Sequence, residues 1–487
     1  MQIKPLGKSR FRPVTLLVPG WRQITALTPD GSITAKGQQN CFKLLESLQF
    51  HNLYVSHSLK DLLQTTGSNH WQAEMWKGHV TTMSLDGTKV KVHSLRRILD
   101  SVTLDVERYE AFLELTTWLN THGVAPGSIS AMAWSLWRST LKEEFSLSFD
   151  STIGRSAFYG GRQEAVQGEI YKNMVALDIA SAYPFEMASK PYAGTLREVS
   201  TRTELDPNQP GLATAKVFIP DSLPHSPLPT RVSTDVIQWK KGELQGTWTW
   251  QELAAAKDLG CKIEIQRCWA PLTLVEPFGE WWDVVREGRA NLNPPAAKLV
   301  KSLSNSLWGM FGMTGDSRGV VRWLDAQGNK PEMIDKRSKN LPQSNTAHIA
   351  AETTSRVRTR MLLEGLYGGQ SLEPNFPVHI DTDGVIMPQE ALQRFSDSMI
   401  GVKSGQWRVK TEMYRLEVKA PQMYRYQCGQ NCLKEHKNWH YVASGMTASQ
   451  AHRYFERGNA GIGISLGAVG SEGVSSGYEL DKKLAEL

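Results

Sequence analysis

Two apolar runs that lead into aspartates constrain this chain most. Met174–Ile179 has the length and β-branched content of a buried strand, and Asp178 stands near its end. Much later, Val378–Ile380 and Val385–Met387 flank Asp381-Thr382-Asp383-Gly384, which predicts a tight β-hairpin with Asp-Gly suited to positive φ in the turn. Strand alternation puts Asp381 and Asp383 on one face, so if the two strands are neighbours three carboxylates meet at one spot. Like charges that close raise each other's pKa unless cations neutralise them. Hard divalent cations such as Mg²⁺ suit oxygen ligands, and two of them about 3.5–4 Å apart clamp an in-line phosphoryl transfer. Each segment alone has a plainer reading, Asp178 as a helix cap and Asp381 and Asp383 as ordinary turn formers.

Composition sets the frame for such a site. The chain has 487 residues, 40% of them hydrophobic and 21% charged, which excludes wholesale disorder, collagen-like repeats and a disulfide scaffold. That length corresponds to roughly two to four domains. Apolar stretches such as Val14–Pro19 fall short of the roughly 18 residues of a membrane span, and the N-terminus has no signal-peptide core, so we expect a soluble protein of the cytoplasm, that of a bacterial host if phage or plasmid encoded. Cys41, Cys261, Cys268, Cys428 and Cys432 form a sparse, odd set consistent with reduced thiols. A formal charge of +6 allows an anionic partner without demonstrating one.

Strand-like and helix-like segments alternate throughout, which predicts a mixed α+β or α/β multidomain protein. Strands are expected at Val14–Val18 and Leu53–Val55, helices at Tyr109–Leu119 and Ser130–Leu141, and a Gly-rich link at Phe158–Arg162. Beyond Asp178 the chain turns through Ser181-Ala182-Tyr183-Pro184 into a helix N-terminus, whose free N–H groups favour phosphate. Pro294 and Pro295 open a helix over Ala296–Gly309, on which Lys298, Lys301 and Asn305 share a face that Arg289 could join. Such a face suits a triphosphate, or is simply solvated. A helix over Thr346–Gly365 has an alternating basic set, Arg356, Arg358 and Arg360, that could line template phosphates or face solvent. A hairpin is expected at Tyr424–Ser444 and a helix around Ala448–Arg457.

With these residues in view, the chain resembles the family B DNA polymerases. Asp178-Ile179-Ala180-Ser181-Ala182-Tyr183-Pro184 resembles the family's motif A, and Lys301 to Gly309 resembles motif B with Trp308 in a Tyr position. His379-Ile380-Asp381-Thr382-Asp383-Gly384 resembles motif C, with His and Gly at its ends. Phe158-Tyr159-Gly160-Gly161-Arg162 is similar to the linker between exonuclease and polymerase modules in the branch of phages and linear plasmids, which includes protein-primed and primer-independent enzymes. Gly246 to Leu253 resembles a palm segment of that branch, and Gln422-Met423-Tyr424 its primer-binding motif with Gln for Lys.

The resemblance implies a right-hand polymerase of palm, fingers and thumb with an N-terminal ribonuclease-H-like exonuclease-type domain. The implied boundaries are 1–150 for that domain, 151–277 and 346–420 for the palm, 278–315 for the fingers, 316–345 for an insertion and 421–487 for the thumb. Asp178, the Ile179 carbonyl and Asp383 would hold two Mg²⁺, with Mn²⁺ as an alternative and Asp381 assisting. Lys301, Arg289, Asn305, Tyr183, Ser181 and Ala182 would bind the incoming dNTP, with Tyr183 disfavouring a ribose. Tyr159, Gly160, Gly161 and Arg162 would contact template, and Tyr424, Gln422 and Lys419 the primer strand. The implied partners are template and primer DNA and dNTPs, and further a terminal or priming protein, a helicase or a single-strand-binding protein, with no membrane.

The family's exonuclease needs acids that this N-terminal region lacks. Thr15 to Gly20 carries no carboxylate, and His51-Asn52-Leu53-Tyr54-Val55 keeps the Asn and Tyr without the Asp. We therefore expect a degenerate domain without proofreading. Pro191–Pro229 and Asp316–Gln343 lie where the branch inserts its terminal-protein regions. Cys428, Cys432, His436 and His440 could bind zinc, although their spacing is not a usual finger pattern. Trp281 and Trp282 read as core. The leading function is template-directed DNA synthesis. Its rivals are a primase-like, primer-independent or protein-primed initiator on the same fold, and a non-catalytic nucleic-acid-binding replication factor.

Overall fold

In the computed structural model, the described residues are 2–55, 105–312, 346–368, 375–428 and 439–443 with short breaks, together with isolated residues and the backbone of strands between 71 and 94, between 320 and 334 and at 474–475. The chain divides into two compact units, residues 1–146 with 277–344, and residues 147–276 with 345–487. No described helix is long and apolar enough to cross a membrane.

The first unit contains a five-stranded sheet in the order Gly31–Lys36, Gln23–Thr28, Val14–Gly20, Asn52–Val55, Val92–Ser94. Its first three strands are antiparallel, and the last two run parallel to Val14–Gly20. Leu17, Ile24, Leu53 and Val55 from this sheet pack with Leu44 and Leu45 of the helix Gln38–Ser47. Helices Asp105–Thr121 and Ile129–Ser139 follow, each overlapping the span expected from apolar spacing. Strand Val320–Leu324 pairs with Trp71–Trp76, so part of the segment read as an insertion shares a second five-stranded sheet with residues 71–90.

A helical hairpin, Gly279–Asn291 and Pro294–Phe311, completes this unit. Asn293 caps the second helix by accepting from the Ala296 N–H, and Pro294 and Pro295 occupy the first turn, where no N–H is needed. Leu299, Val300, Leu303 and Leu307 are buried on one face. Burying each such side chain contributes about 1.5–3 kcal/mol, which fixes the opposite face toward solvent. Phe311 and Phe278 close around Trp137, with ring centroids 5.1 and 5.6 Å away. Trp281 and Trp282 are buried, as expected of core residues.

The second unit is built on a seven-stranded antiparallel sheet, in the order Gln163–Ala165, His379–Asp381, Gly384–Pro388, Ile170–Ile179, Trp407–Ala420, Met423–Cys428, His440–Ala443. The expected hairpin at Tyr424–Ser444 supplies the last two strands, which therefore extend the same sheet across the boundary drawn at residue 421. A four-stranded antiparallel sheet orders Tyr192–Val199, Lys262–Val275, Leu212–Ile219 and Gly242–Thr249. The first and third of these strands lie within the stretch 191–229. Most of the helix expected around 448–457, with the candidate zinc ligands Cys432 and His436, falls outside the described residues, while Cys428 is buried.

The helix Ala347–Arg360 overturns the reading of a basic face on nucleic acid or in solvent. Residues two apart on a helix lie on opposite sides, so Arg356, Arg358 and Arg360 do not form one stripe. Arg356 and Arg358 are buried, with 2% and 5% exposure, and all three satisfy interior acceptors. Arg356 donates to the carbonyls of Glu186, Lys190 and Pro191 and lies 4.0 Å over the Tyr192 ring. From the opposite side, Arg358 forks onto Glu252 at 2.7 and 2.9 Å and donates to the carbonyls of Tyr159 and Gly160. Arg360 pairs with Glu186 at 3.2 Å and Glu364 at 2.9 Å.

Removing one partner of a buried pair strands the other charge, so Arg358→Ala should lower unfolding free energy by about 3–5 kcal/mol in urea denaturation. A solvent-facing or DNA-facing arginine would leave the urea midpoint unmoved.

Candidate active site

Register brings the carboxylates together on the seven-stranded sheet. Ile170–Ile179 lies between Gly384–Pro388 and Trp407–Ala420, with Asp178 opposite Gly384 on one side and Arg408 on the other. Asp381 pairs with Gly384 across the adjoining hairpin, and the Ile179 N–H donates to the Asp383 carbonyl at 2.9 Å. Asp383 is pushed up to about 6, first by burial and then by the negative charges of Asp178 and Asp381, with Lys410 opposing. Asp178 lies within its strand and not at a helix cap, whereas Thr382 and Asp383 do form the turn between His379–Asp381 and Gly384–Pro388.

The turn achieves this geometry differently from the expectation. Positive φ falls on Thr382, at 60°, and not on Gly384. The glycine is required for close approach instead, since a Cβ there would lie 3.0 Å from the Leu177 carbonyl oxygen. Thr382 donates its N–H to the Arg162 carbonyl at 2.7 Å, and Gly161 leaves the space into which its side chain packs. The Gly-Gly link thus supports the strained turn. Arg162 is itself buried, paired with Glu164 at 2.7 Å and donating to the Ser226 carbonyl at 2.9 Å. Tyr159 is also buried, so the side chains of Tyr159 and Arg162 serve the interior, and Gly160 is buried beside them.

Around Asp381 the compensation comes from neutral groups. Gln422 Nε2 donates to its Oδ1 at 2.8 Å and Gln163 Nε2 at 3.3 Å. Gln422 holds a positive φ of 57°, and its N–H donates to His379 Nε2 at 2.9 Å. His379 accepts that bond as a neutral ring, its pKa lowered to about 4 by burial against the opposing pull of Asp381. Tyr424 packs 5.0 Å from the His379 ring, and burial first, then Tyr426 and Asp381, pushes its hydroxyl up to about 12. Lys419 is paired with Glu417 at 2.6 Å.

Asp178 is met by cations. Arg408 forks onto both its oxygens at 3.2 and 3.1 Å, and Lys410 reaches Oδ2 at 3.2 Å. Neither residue was singled out from the sequence, although the alternation Trp407-Arg408-Val409-Lys410 carries the signal. Ser181 adopts a left-handed conformation, φ 57° and ψ 40°, and opens the short helix Ala182–Ser189. Tyr183 on that helix is buried, and burial, with the charges of Asp383 and Asp381 adding to it, raises its pKa. In the first unit, Lys298, Lys301 and Asn305 are exposed on one face of Pro294–Phe311, and Arg289 is half-buried in the last turn of Gly279–Asn291.

Residues 124–359 match the family described as DNA polymerase type B, organellar and viral. Through residues 124–359 the chain belongs with the type B DNA polymerases, organellar and viral. As a solved structure, Phi29 DNA polymerase in a ternary complex with primer-template DNA and incoming nucleotides shares its fold. The TM-score is 0.67 at 12% identity, over 91% of this chain and 93% of that one. The Phi29 binary complex with primer-template DNA gives 0.64 at 11% identity, over 91% and 94%. Phi29 polymerase with single-stranded DNA gives 0.61 at 11%, over 90% and 93%. No curated protein matches the sequence.

Among the described residues of this DNA-directed DNA polymerase, no group of three His, Cys, Asp or Glu side chains stands ready-spaced for a metal. The three carboxylates nevertheless lie near one another: burial first, and then the charges of Asp178 and Asp381, raise the pKa of Asp383, and carboxylate oxygens are the donors that hard divalent cations take.

Gly161→Ala would place a Cβ 2.6 Å from Thr382 Cγ2 and must displace the turn. We expect a loss of nucleotide incorporation of about tenfold or more, with far-UV circular dichroism unchanged and partial recovery in Gly161→Ala/Thr382→Gly.

Proposed function

We propose that the polymerase extends a DNA 3′-hydroxyl on a template by two-metal phosphoryl transfer and lacks 3′–5′ proofreading. The observation that carries the first part is the convergence of Asp178, Asp381 and Asp383 at the ends of adjacent strands. Asp178, Asp383 and the Ile179 carbonyl would hold two Mg²⁺, or Mn²⁺, which supply charge neutralisation at the attacking and leaving oxygens when bound. Asp381 holds its place beside them through Gln422 and Gln163.

The chain's own residues would position the reactants. Lys301 and Arg289 suit the triphosphate as point charge and fork, and Asn305 the nucleotide pocket. Ser181 and Ala182 stand at the start of the helix Ala182–Ser189, and the buried Tyr183 ring on it would leave no room for a ribose 2′-hydroxyl. Tyr424, Gln422 and Lys419 would form the primer grip. The Gly160-Gly161 link would approach the template backbone, while Tyr159 and Arg162 shape it from within. Primer-template DNA and nucleotides, named in the Phi29 complexes, are the partners this reading assigns here.

The lack of proofreading rests on the first unit. No strand of the sheet containing Val14–Gly20 carries an acidic residue. Thr15 on its central strand instead shares a hydrogen bond with His51 Nδ1 at 2.8 Å. Metal-dependent hydrolysis has no carboxylate to work with on these strands.

Primer extension on labelled DNA tests both parts. Wild-type protein with Mg²⁺ should add dNTPs to a primed template, and Asp383→Asn should reduce the rate by about a thousandfold or more, as expected when a metal ligand is lost. Without dNTPs, a mismatched 3′ end should persist. Its excision, abolished by a change at an acid within residues 1–145, would refute the second part. An unprimed template run in parallel separates extension from strand initiation, and no incorporation on either template would defeat the first part.

A further inference from the structure

We propose that Arg408 and Lys410 are resident counter-cations of Asp178, which occupy its carboxylate in the metal-free polymerase and must release it before that side of the site takes a divalent ion. This inference rests on the reading of Asp178 and Asp383 as metal ligands.

The contacts account for both oxygens of Asp178. Arg408 donates from Nε to Oδ1 and from Nη2 to Oδ2, and Lys410 Nζ stands 3.2 Å from Oδ2. A metal ion seeking the same lone pairs meets two positive charges already seated there. The strand is shaped to deliver both. Register slips between Ala176 and Leu177, with Ala176 opposite Thr411 and Leu177 opposite Val409, so Lys410 is the extra residue of a β-bulge. Two apart on the strand, Arg408 and Lys410 face the same side, and the bulge leaves Lys410 without a residue opposite it on Ile170–Ile179.

Exposure shows that the clamp can open. The Asp178 side chain is 13% exposed, against 41% for Arg408 and 55% for Lys410. The carboxylate is held by its strand, whereas the cations sit on long chains that reach solvent and can turn away without unpacking the core. The other two acids lack this arrangement: Asp381 is bonded by the neutral amides of Gln422 and Gln163, and Asp383 is buried among its acidic neighbours. The site is therefore asymmetric, and the Asp383 side accepts an ion before the Asp178 side. An incoming phosphate offers Arg408 and Lys410 another partner, so phosphate and the second ion should favour each other.

The test is Mn²⁺ binding to the nucleotide-free, DNA-free full chain, followed by loss of the free-ion electron paramagnetic resonance signal. Arg408→Gln/Lys410→Gln should tighten binding at the weaker site about tenfold, while the charge-preserving Arg408→Lys/Lys410→Arg stays near wild type. Both pairs are surface changes, and matching circular dichroism spectra confirm intact folds. Unchanged or weaker binding in the Gln pair, with Asp178→Asn and Asp383→Asn each still reducing it, overturns this inference alone. If neither Asn variant alters Mn²⁺ binding, the metal-ligand reading fails and this inference with it.

Discussion

The packing of negative charge between antiparallel strands governs the unit built on the seven-stranded sheet. Asp178 and the Asp381–Asp383 turn are brought together by a backbone register that carries its own hydrogen bonds, so the acids cannot move apart without dismantling the sheet. Their repulsion is met by neighbouring groups of different kinds. Arg408 and Lys410 bring charge to Asp178, Gln422 and Gln163 bring neutral amides to Asp381, and Asp383 is left with a raised pKa. Much of the local architecture, from the β-bulge to the positive φ at Gln422, places these groups.

That arrangement gives physical meaning to two departures from the family pattern. Glutamine at position 422 stands where the family pattern has a cation, and its amide and its own N–H tie Asp381 and His379 into one network. Histidine at position 379 supplies an acceptor to that N–H, as a ring that burial keeps neutral. A lysine at 422 would place a charge where an amide now fixes the turn through geometry alone.

The buried arginines show how the frame under the site is held. Arg358 joins Glu252 to the carbonyls of Tyr159 and Gly160, directly ahead of the Gly161 that supports Thr382. Arg356 and Arg360 tie the same helix to residues 186–191, at the end of the segment that begins with Ser181 and Tyr183. Desolvated guanidinium groups forked onto carboxylate and carbonyl oxygens make a stiff link between loops, and stiffness is what a site built from strand ends requires.

The sequence by itself determined the chemistry of the site and most of its elements. Apolar runs of strand length ending in aspartate, the proline-led helix with its lysine face, and the absence of acids from the N-terminal strands depend on local pattern, which period and residue type express directly. Tertiary structure alone decided which charges meet. Arg408 and Lys410 lie far along the chain from Asp178 and become its partners only through strand order and register. Arg356, Arg358 and Arg360 read as a surface because one-dimensional alternation says nothing of a helix enclosed on all sides. Gly384 looked like a turn glycine, but the positive φ passed to Thr382, and what glycine provides is clearance for the neighbouring strand. Burial and cross-strand contact are properties of the packed chain, and they turned a list of acids and bases into a site with two unlike sides.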